Sequence, residues 1–224
     1  LGMAPPGDLR RCLASLAADR LLAARFEERL SGGAEEGRSV GNLALSQAYM
    51  ELGSIQAAVD WAARLLECTG RVLPAADTAG TLAVVDGGGD LAFGESHVEE
   101  SSASPIVANV VGVEHANPDA LRAVSEADVV FLGPGTFFGS TLAAVTTGDL
   151  GAAVATSGAR IVFIENLSPE DRRQLGPGDP ERILRDHLVI KSGGEAVTLD
   201  VLRHADVEGV VVRPDGSRLV SAKV

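Results

Sequence analysis

The sequence predicts an α/β protein: an open, mainly parallel sheet with helices on both faces and a small antiparallel hairpin appendage. Three observations carry this expectation. Short β-branched runs alternate with helical stretches, the order that yields a parallel sheet covered by helices. Ile55, Ala58, Val59, Ala62, Leu65 and Leu66 repeat at i, i+3, i+4 and i+7, the period of a buried helical stripe. The run Val129-Val130-Phe131-Leu132 ends in Gly133-Pro134-Gly135, then Thr136 and Ser140 and a stretch able to form a helix, which reads as strand, tight turn, helix N-terminus.

The elements follow in order. Residues 1–7 hold two prolines and two glycines and read as a loop. Asp8 can cap a helix carrying Leu9, Leu13 and Leu16. A second helical stretch carries Leu21, Leu22, Ala24, Phe26 and Leu30, with Arg25, Glu27, Glu28 and Arg29 on a solvated face. Gly41-Asn42-Leu43 opens a helix reaching about residue 52, and Asn42, a favoured cap residue, either caps it or reaches a ligand. The striped helix comes next, with Trp61 at the edge of its apolar face, and it stops at Gly70.

From there the period becomes that of strands. Residues 71–74 are short and extended, and residues 81–85 and 91–93 flank Asp86-Gly87-Gly88-Gly89-Asp90 as a hairpin. The triple glycine lies between two strands with no helix after it, so a turn is expected there and not a phosphate loop. Residues 105–113 form a further strand. Asn117 caps a helix from 118 to about 127, with Pro118 in its first turn. Residues 150–155 are helical, 160–165 a buried strand, and 168–171 the start of a short helix. Residues 180–187 are helical, 197–202 and 209–212 late strands, and 214–217 a turn before the strand 218–220.

Composition narrows the function. The 224 residues suit one large domain or two small ones, and 46% apolar content supports a sizeable core. Aromatics are only 4%, so that core must be mainly aliphatic. The net charge of −12 repels phosphate backbones and anionic bilayers, so neither nucleic acid nor membrane is an expected partner. A small anionic ligand remains compatible if cations are local to its pocket, with Arg10, Arg11 and Arg38 as candidates. Cys12 and Cys68 lie far apart and match no zinc or disulfide spacing, which fits a reducing, cytoplasmic compartment. No run approaches the roughly 18 apolar residues of a membrane span.

The turn after residue 132 is the strongest candidate site. In open α/β sheets ligands bind in the crevice at the carboxyl ends of the strands. A helix N-terminus there offers unpaired N–H donors to an anion. Gly133 and Gly135 allow unusual φ values and close approach, while Thr136 and Ser140 offer hydroxyls. The plain alternative is a tight connection with no ligand. His97, His115, His187 and His204 show no metal spacing. Glu95, Glu99 and Glu100 could form a metal site, but acidic loop residues in so acidic a chain need no function. There is no GxxxxGK[ST] loop.

Several stretches, in order, resemble a known family. Leu1-Gly2-Met3-Ala4-Pro5-Pro6-Gly7-Asp8-Leu9-Arg10 is similar to the LGxxPPGDLRN segment of the gluconeogenesis factor (YvcK-like) proteins. Gly37-Arg38-Ser39-Val40-Gly41-Asn42-Leu43 resembles their GHxxGNL, and Gly70-Arg71-Val72-Leu73-Pro74 their GxVLP. Gly94-Glu95 follows a hairpin as in their GE segment, and the stretch 127–140 resembles AD-x-[IV]-x-LGPGSxxTS. The resemblance covers residues 1 to about 166. It implies the Rossmann-like fold of the 2-phospho-L-lactate transferase (CofD-like) superfamily. It also implies a cytoplasmic regulator that binds a nucleotide sugar and influences central carbon metabolism and cell-wall growth. The alternative it carries is a transferase moving a phosphorylated hydroxy acid from a nucleotide to an acceptor, which would need a metal held by carboxylates.

Departures from the pattern are specific. Arg38 stands where the family has His, Phe138-Gly139-Ser140 replaces Tyr-Thr-Ser, and Ala143-Ala144 replaces Pro-Asn. The TxxGET segment after Asn166 is absent, though Asp186-His187 fits a family position. Residues 1–224 are expected to be a single domain without the family's first strand, GGGTG loop and helix. The strand beside that unit would expose an edge, so a homo-oligomer is expected. The ligand is expected to be a uridine diphosphate sugar bound by Asp8, Arg10, Arg11, Arg38, Gly41, Asn42, Gly133, Gly135, Thr136 and Ser140 in one crevice. No catalytic residue, metal or cofactor is assigned.

Overall fold

The computed structural model describes residues 6–86, 88–94, 105–166, 168, 175–176, 178–204 and 209–222. They fall into two compact units, Leu1–Ala79 and Gly80–Val224.

The first unit is helical: α1 (Gly7–Leu16), α2 (Arg20–Glu27), α3 (Val40–Leu52) and α4 (Ile55–Leu65). Short polar side chains start three of them. Asp19 accepts the N–H groups of Leu21 and Leu22, Ser39 that of Asn42, and Ser54 that of Ala57. Two capping expectations are therefore corrected. Ser39, not Asn42, caps α3, because its hydroxyl lies three residues ahead of the N–H it must meet. Pro6 occupies the cap position of α1 without a side-chain bond, and Asp8 lies inside the first turn, where its charge meets the positive helix end.

Leu13, Phe26, Leu45, Val59 and Leu66 form this unit's core. The α4 stripe is buried as expected, except that Leu65 is half exposed. Leu30 lies beyond the end of α2, and Leu21 points outward at 83% exposure. Residues 71–74 belong to no strand, although Val72 reaches the core.

The second unit begins with β1 (Thr81–Asp86), β2 (Leu91–Phe93) and β3 (Pro105–Val111), an antiparallel sheet in the order β2-β1-β3. The hairpin is present, and Asp86 holds its turn by accepting the N–H groups of Gly88 and Asp90 at 2.8 and 2.9 Å. The appendage is larger than a hairpin because β3 adds along the other edge of β1.

Next come α5 (Pro118–Ser125), β4 (Val129–Leu132), a π-helical turn (Phe137–Leu142), α6 (Ala143–Thr146), α7 (Leu150–Thr156) and β5 (Arg160–Ile164). The unit continues with α8 (Pro180–Lys191), β6 (Leu199–His204), β7 (Gly209–Val212) and β8 (Arg218–Ala222). Asn117 caps α5 as expected, accepting the Asp119 N–H at 2.9 Å.

The main sheet has the order β4-β5-β6-β8-β7. Four strands are parallel and β7 runs antiparallel at one edge. The predicted α/β class and mainly parallel sheet are thus present. The expected helix start at 168–171, the candidate carboxylates Glu95, Glu99 and Glu100, and His97 lie largely or wholly outside the described residues.

Alternation places Ile161 and Phe163 of β5, and Leu199 and Val201 of β6, in the core with Leu184 and Leu188 of α8. Three of the eight aromatics meet at one place: Phe137 packs edge-on against Phe138 at 5.1 Å and Phe163 at 6.1 Å between ring centres.

Asp200 joins the parallel strands. Its carboxylate accepts Arg160 Nε from β5 and the Arg218 backbone N–H from β8 at 2.6 Å. Burial pushes this carboxyl up, but the two hydrogen bonds and the neighbouring guanidinium charges outweigh it and hold it below the usual range. The ionised form is favoured in the folded chain. Its stabilisation is complete above the unfolded value of about 3.9 and is lost as pH falls through the lower folded value. Asp200→Asn should therefore narrow the difference in urea midpoint between about pH 7 and about pH 3 relative to wild type. An unchanged difference would remove Asp200 from the acid response.

Candidate functional site: a cavity at the carboxyl ends of the parallel strands

The turn after β4 is shaped by close contacts. Gly133 has φ +88°, and a Cβ there would lie 2.6 Å from the carbonyl oxygen of Ile164, the last residue of β5. A Cβ at Gly135 would meet Ser140 Cβ at 2.8 Å. Glycine at both positions lets the turn lie against the neighbouring strand end and the helix that follows. Thr136 and Ser140 pair hydroxyl to hydroxyl at 3.1 Å. The Thr136 carbonyl accepts the N–H groups of both Ser140 and Thr141, which opens the helix as a π turn, a form frequent at functional sites. Phe137 and Phe138, both buried, anchor this turn in the core.

Beside the turn lies a cavity of about 440 Å³, within the range of small-ligand sites. Gly135, Phe137 and Phe163 form one part of its wall, and Glu165, Asn166, Asp179 and Arg203 supply polar groups. The sheet explains their meeting. Glu165 directly follows β5, Arg203 is near the end of β6, and Ile164 pairs with Leu202 in parallel register. Arg203 Nε donates to Glu165 Oε2 at 2.7 Å. Asp179 caps α8, accepting the Glu181 N–H at 3.2 Å.

Of the sequence-predicted residues in this unit, Gly135 lines the cavity, while Gly133, Thr136 and Ser140 shape the turn that carries it. Asp8, Arg10, Arg11, Arg38, Gly41 and Asn42 lie in the first unit. There Arg10 is 5% exposed and its Nη1 donates to Glu27 Oε2 at 2.6 Å. Arg11 pairs with Asp8 at 3.6 Å and Arg38 with Glu35 at 2.8 Å, all on the surface or near it. Gly41 is required by packing, since a Cβ would fall 2.6 Å from the Phe26 ring. Asn42 Oδ1 is buried and makes no hydrogen bond among the described residues.

Sequence reasoning missed Glu165, Asn166, Asp179 and Arg203. A usable signal existed: polar residues at the carboxyl ends of predicted parallel strands face the crevice, and both Glu165 and Arg203 occupy such ends.

The fold and this cavity define an α/β protein with an open cavity at the carboxyl edge of a parallel sheet. The family model described as 2-phospho-L-lactate transferase CofD matches residues 1–212, and the chain belongs to that family. It is 35% identical over 183 residues to a protein of Nostoc named "Putative gluconeogenesis factor", covering 78% of this chain and 39% of that one. A protein of the same name from Deinococcus radiodurans is 32% identical over 221 residues, covering 95% of this chain and 46% of the relative. The chain thus spans less than half the length of these two relatives. The crystal structure of a UPF0052-family protein from Bacillus halodurans superposes with a TM-score of 0.79 at 25% identity, covering 92% of this chain and 66% of that one. Among the described residues, no helix is long and apolar enough to cross a membrane.

Proposed function

We propose that the protein binds a nucleotide sugar, of the uridine diphosphate class, in the cavity beside the Gly135 turn. On this reading it acts as a regulator linked to central carbon metabolism and cell-wall growth. One observation carries the reading: a cavity at the carboxyl ends of parallel strands is lined by a glycine turn and by the guanidinium of Arg203. Crevices in this position hold phosphate-bearing ligands in other open α/β sheets. The name of the curated relatives supports the metabolic link.

Calorimetric titration of the full protein with uridine diphosphate glucose and with free glucose tests this. Saturable binding of the nucleotide sugar alone is expected, weakening as salt rises because phosphate meets a cation. Equal binding of both, or of neither, contradicts it. The family description favours a second reading, a transferase that moves a phosphorylated hydroxy acid from a nucleotide carrier to an acceptor. Steady release of the free nucleotide from such a carrier in the presence of acceptor would select that reading, since a regulator leaves its ligand intact.

A further inference from the structure

Arg203 is the one cationic residue lining the cavity among the described residues, and the carboxylates of Glu165 and Asp179 line it too. Both carboxylates are already engaged. Asp179 is spent on the N-terminus of α8, where the helix end is positive. Glu165 is spent on Arg203 Nε.

The sheet fixes this pair. The Glu165 N–H donates to the Leu202 carbonyl at 3.0 Å, and the two side chains leave adjacent strands at the same level, each one residue past the Ile164–Leu202 pair. The Glu165 side chain is 13% exposed and that of Arg203 33%. A guanidinium carries five N–H donors in a flat fork. With Nε held by Glu165, Nη1 and Nη2 make no hydrogen bond among the described residues. That free edge matches two oxygens of one phosphate.

We propose that Arg203 reads a phosphate group of the ligand through its Nη1–Nη2 edge, and that Glu165 is the positioning residue that holds the fork in place. The proposal rests on the nucleotide-sugar reading for the identity of the ligand, but not for the recognition of phosphate. Lysine at position 203 would bring charge without a fork, and could not hold Glu165 and two phosphate oxygens in one plane.

The test is calorimetric titration of the full protein with uridine diphosphate glucose and, separately, with inorganic pyrophosphate, with Tm measured for each variant. Arg203→Lys should weaken binding about tenfold or more, the loss of a charge-assisted bond. Glu165→Leu should also weaken it about tenfold, through a misdirected fork. Glu165→Gln keeps an acceptor for Nε and should stay within about threefold of wild type. A purely structural role would move affinity in step with Tm and would not separate Gln from Leu at equal Tm. Binding of uridine diphosphate glucose that is indifferent to Arg203→Lys overturns the proposal and leaves the nucleotide-sugar reading standing. Arg203-dependent binding of pyrophosphate without binding of the nucleotide sugar upholds it and overturns that reading. Binding of neither ligand overturns both.

Discussion

Gly133→Ala is expected to destabilise the second unit by about 3 kcal/mol and to abolish ligand binding in the cavity. Two costs combine. At φ +88° any L side chain is strained, at about 1–2 kcal/mol. The added Cβ would also lie 2.6 Å from the Ile164 carbonyl oxygen. That oxygen cannot withdraw freely, because Ile164 pairs with Leu202 and the next N–H is bonded to the Leu202 carbonyl. Relief must come from the turn, which would carry Gly135 and Phe137 with it. Gly158→Ala separates the two costs. Gly158 has φ +75° but nothing within 4 Å of its would-be Cβ, so it should show the strain alone. Urea midpoints of the two variants measure the difference. Equal losses would mean that the close approach to β5 contributes nothing.

His187→Leu is expected to cost about 2 kcal/mol, with little cavity formation because the side chains are similar in size. His187 is buried, and its ring bridges two elements. Nε2 lies 3.1 Å from the Ala108 backbone nitrogen in β3, and Nδ1 lies 2.7 Å from the Ile183 carbonyl one turn back in α8. An amide N–H can only donate, so Nε2 must accept and the proton sits on Nδ1. Leucine would leave the Ala108 N–H, which is nearly inaccessible, without its acceptor. The direct readout is amide hydrogen exchange at Ala108, which should accelerate in His187→Leu more than at neighbouring β3 amides. Unchanged exchange would show that another acceptor serves Ala108.

These two positions mark where the sequence was legible and where it was not. Periodicity pointed to strands at 81–85, 91–93 and 160–165 and to the helix α4, each within one residue of the observed element or overlapping it, because a two-residue or 3.6-residue repeat is a local property. The Gly-Pro-Gly turn was recognisable because its glycines follow an apolar strand. Residues 71–74 look extended by composition, yet they belong to no strand, since a strand needs a partner strand that local sequence cannot supply. The caps of α1 and α3 were misassigned by a few residues, as several polar residues stand near each start. The polar wall of the cavity was missed for a different reason. Glu165 and Arg203 are 38 positions apart and meet only through the register of β5 and β6. His187 carries no local mark of its bond to a strand 79 positions earlier. Arg10 and Arg38, by contrast, were conspicuous as cations, and the structure shows each paired with a glutamate.

The central claim is that the cavity beside the Gly135 turn holds the ligand. A crystal structure of the full protein grown with uridine diphosphate glucose tests it most directly. Density for the nucleotide sugar is expected in that cavity, with phosphate oxygens within hydrogen-bond distance of Arg203 Nη1 and Nη2. Well-defined density for the nucleotide sugar elsewhere, with the cavity filled only by solvent, would contradict it.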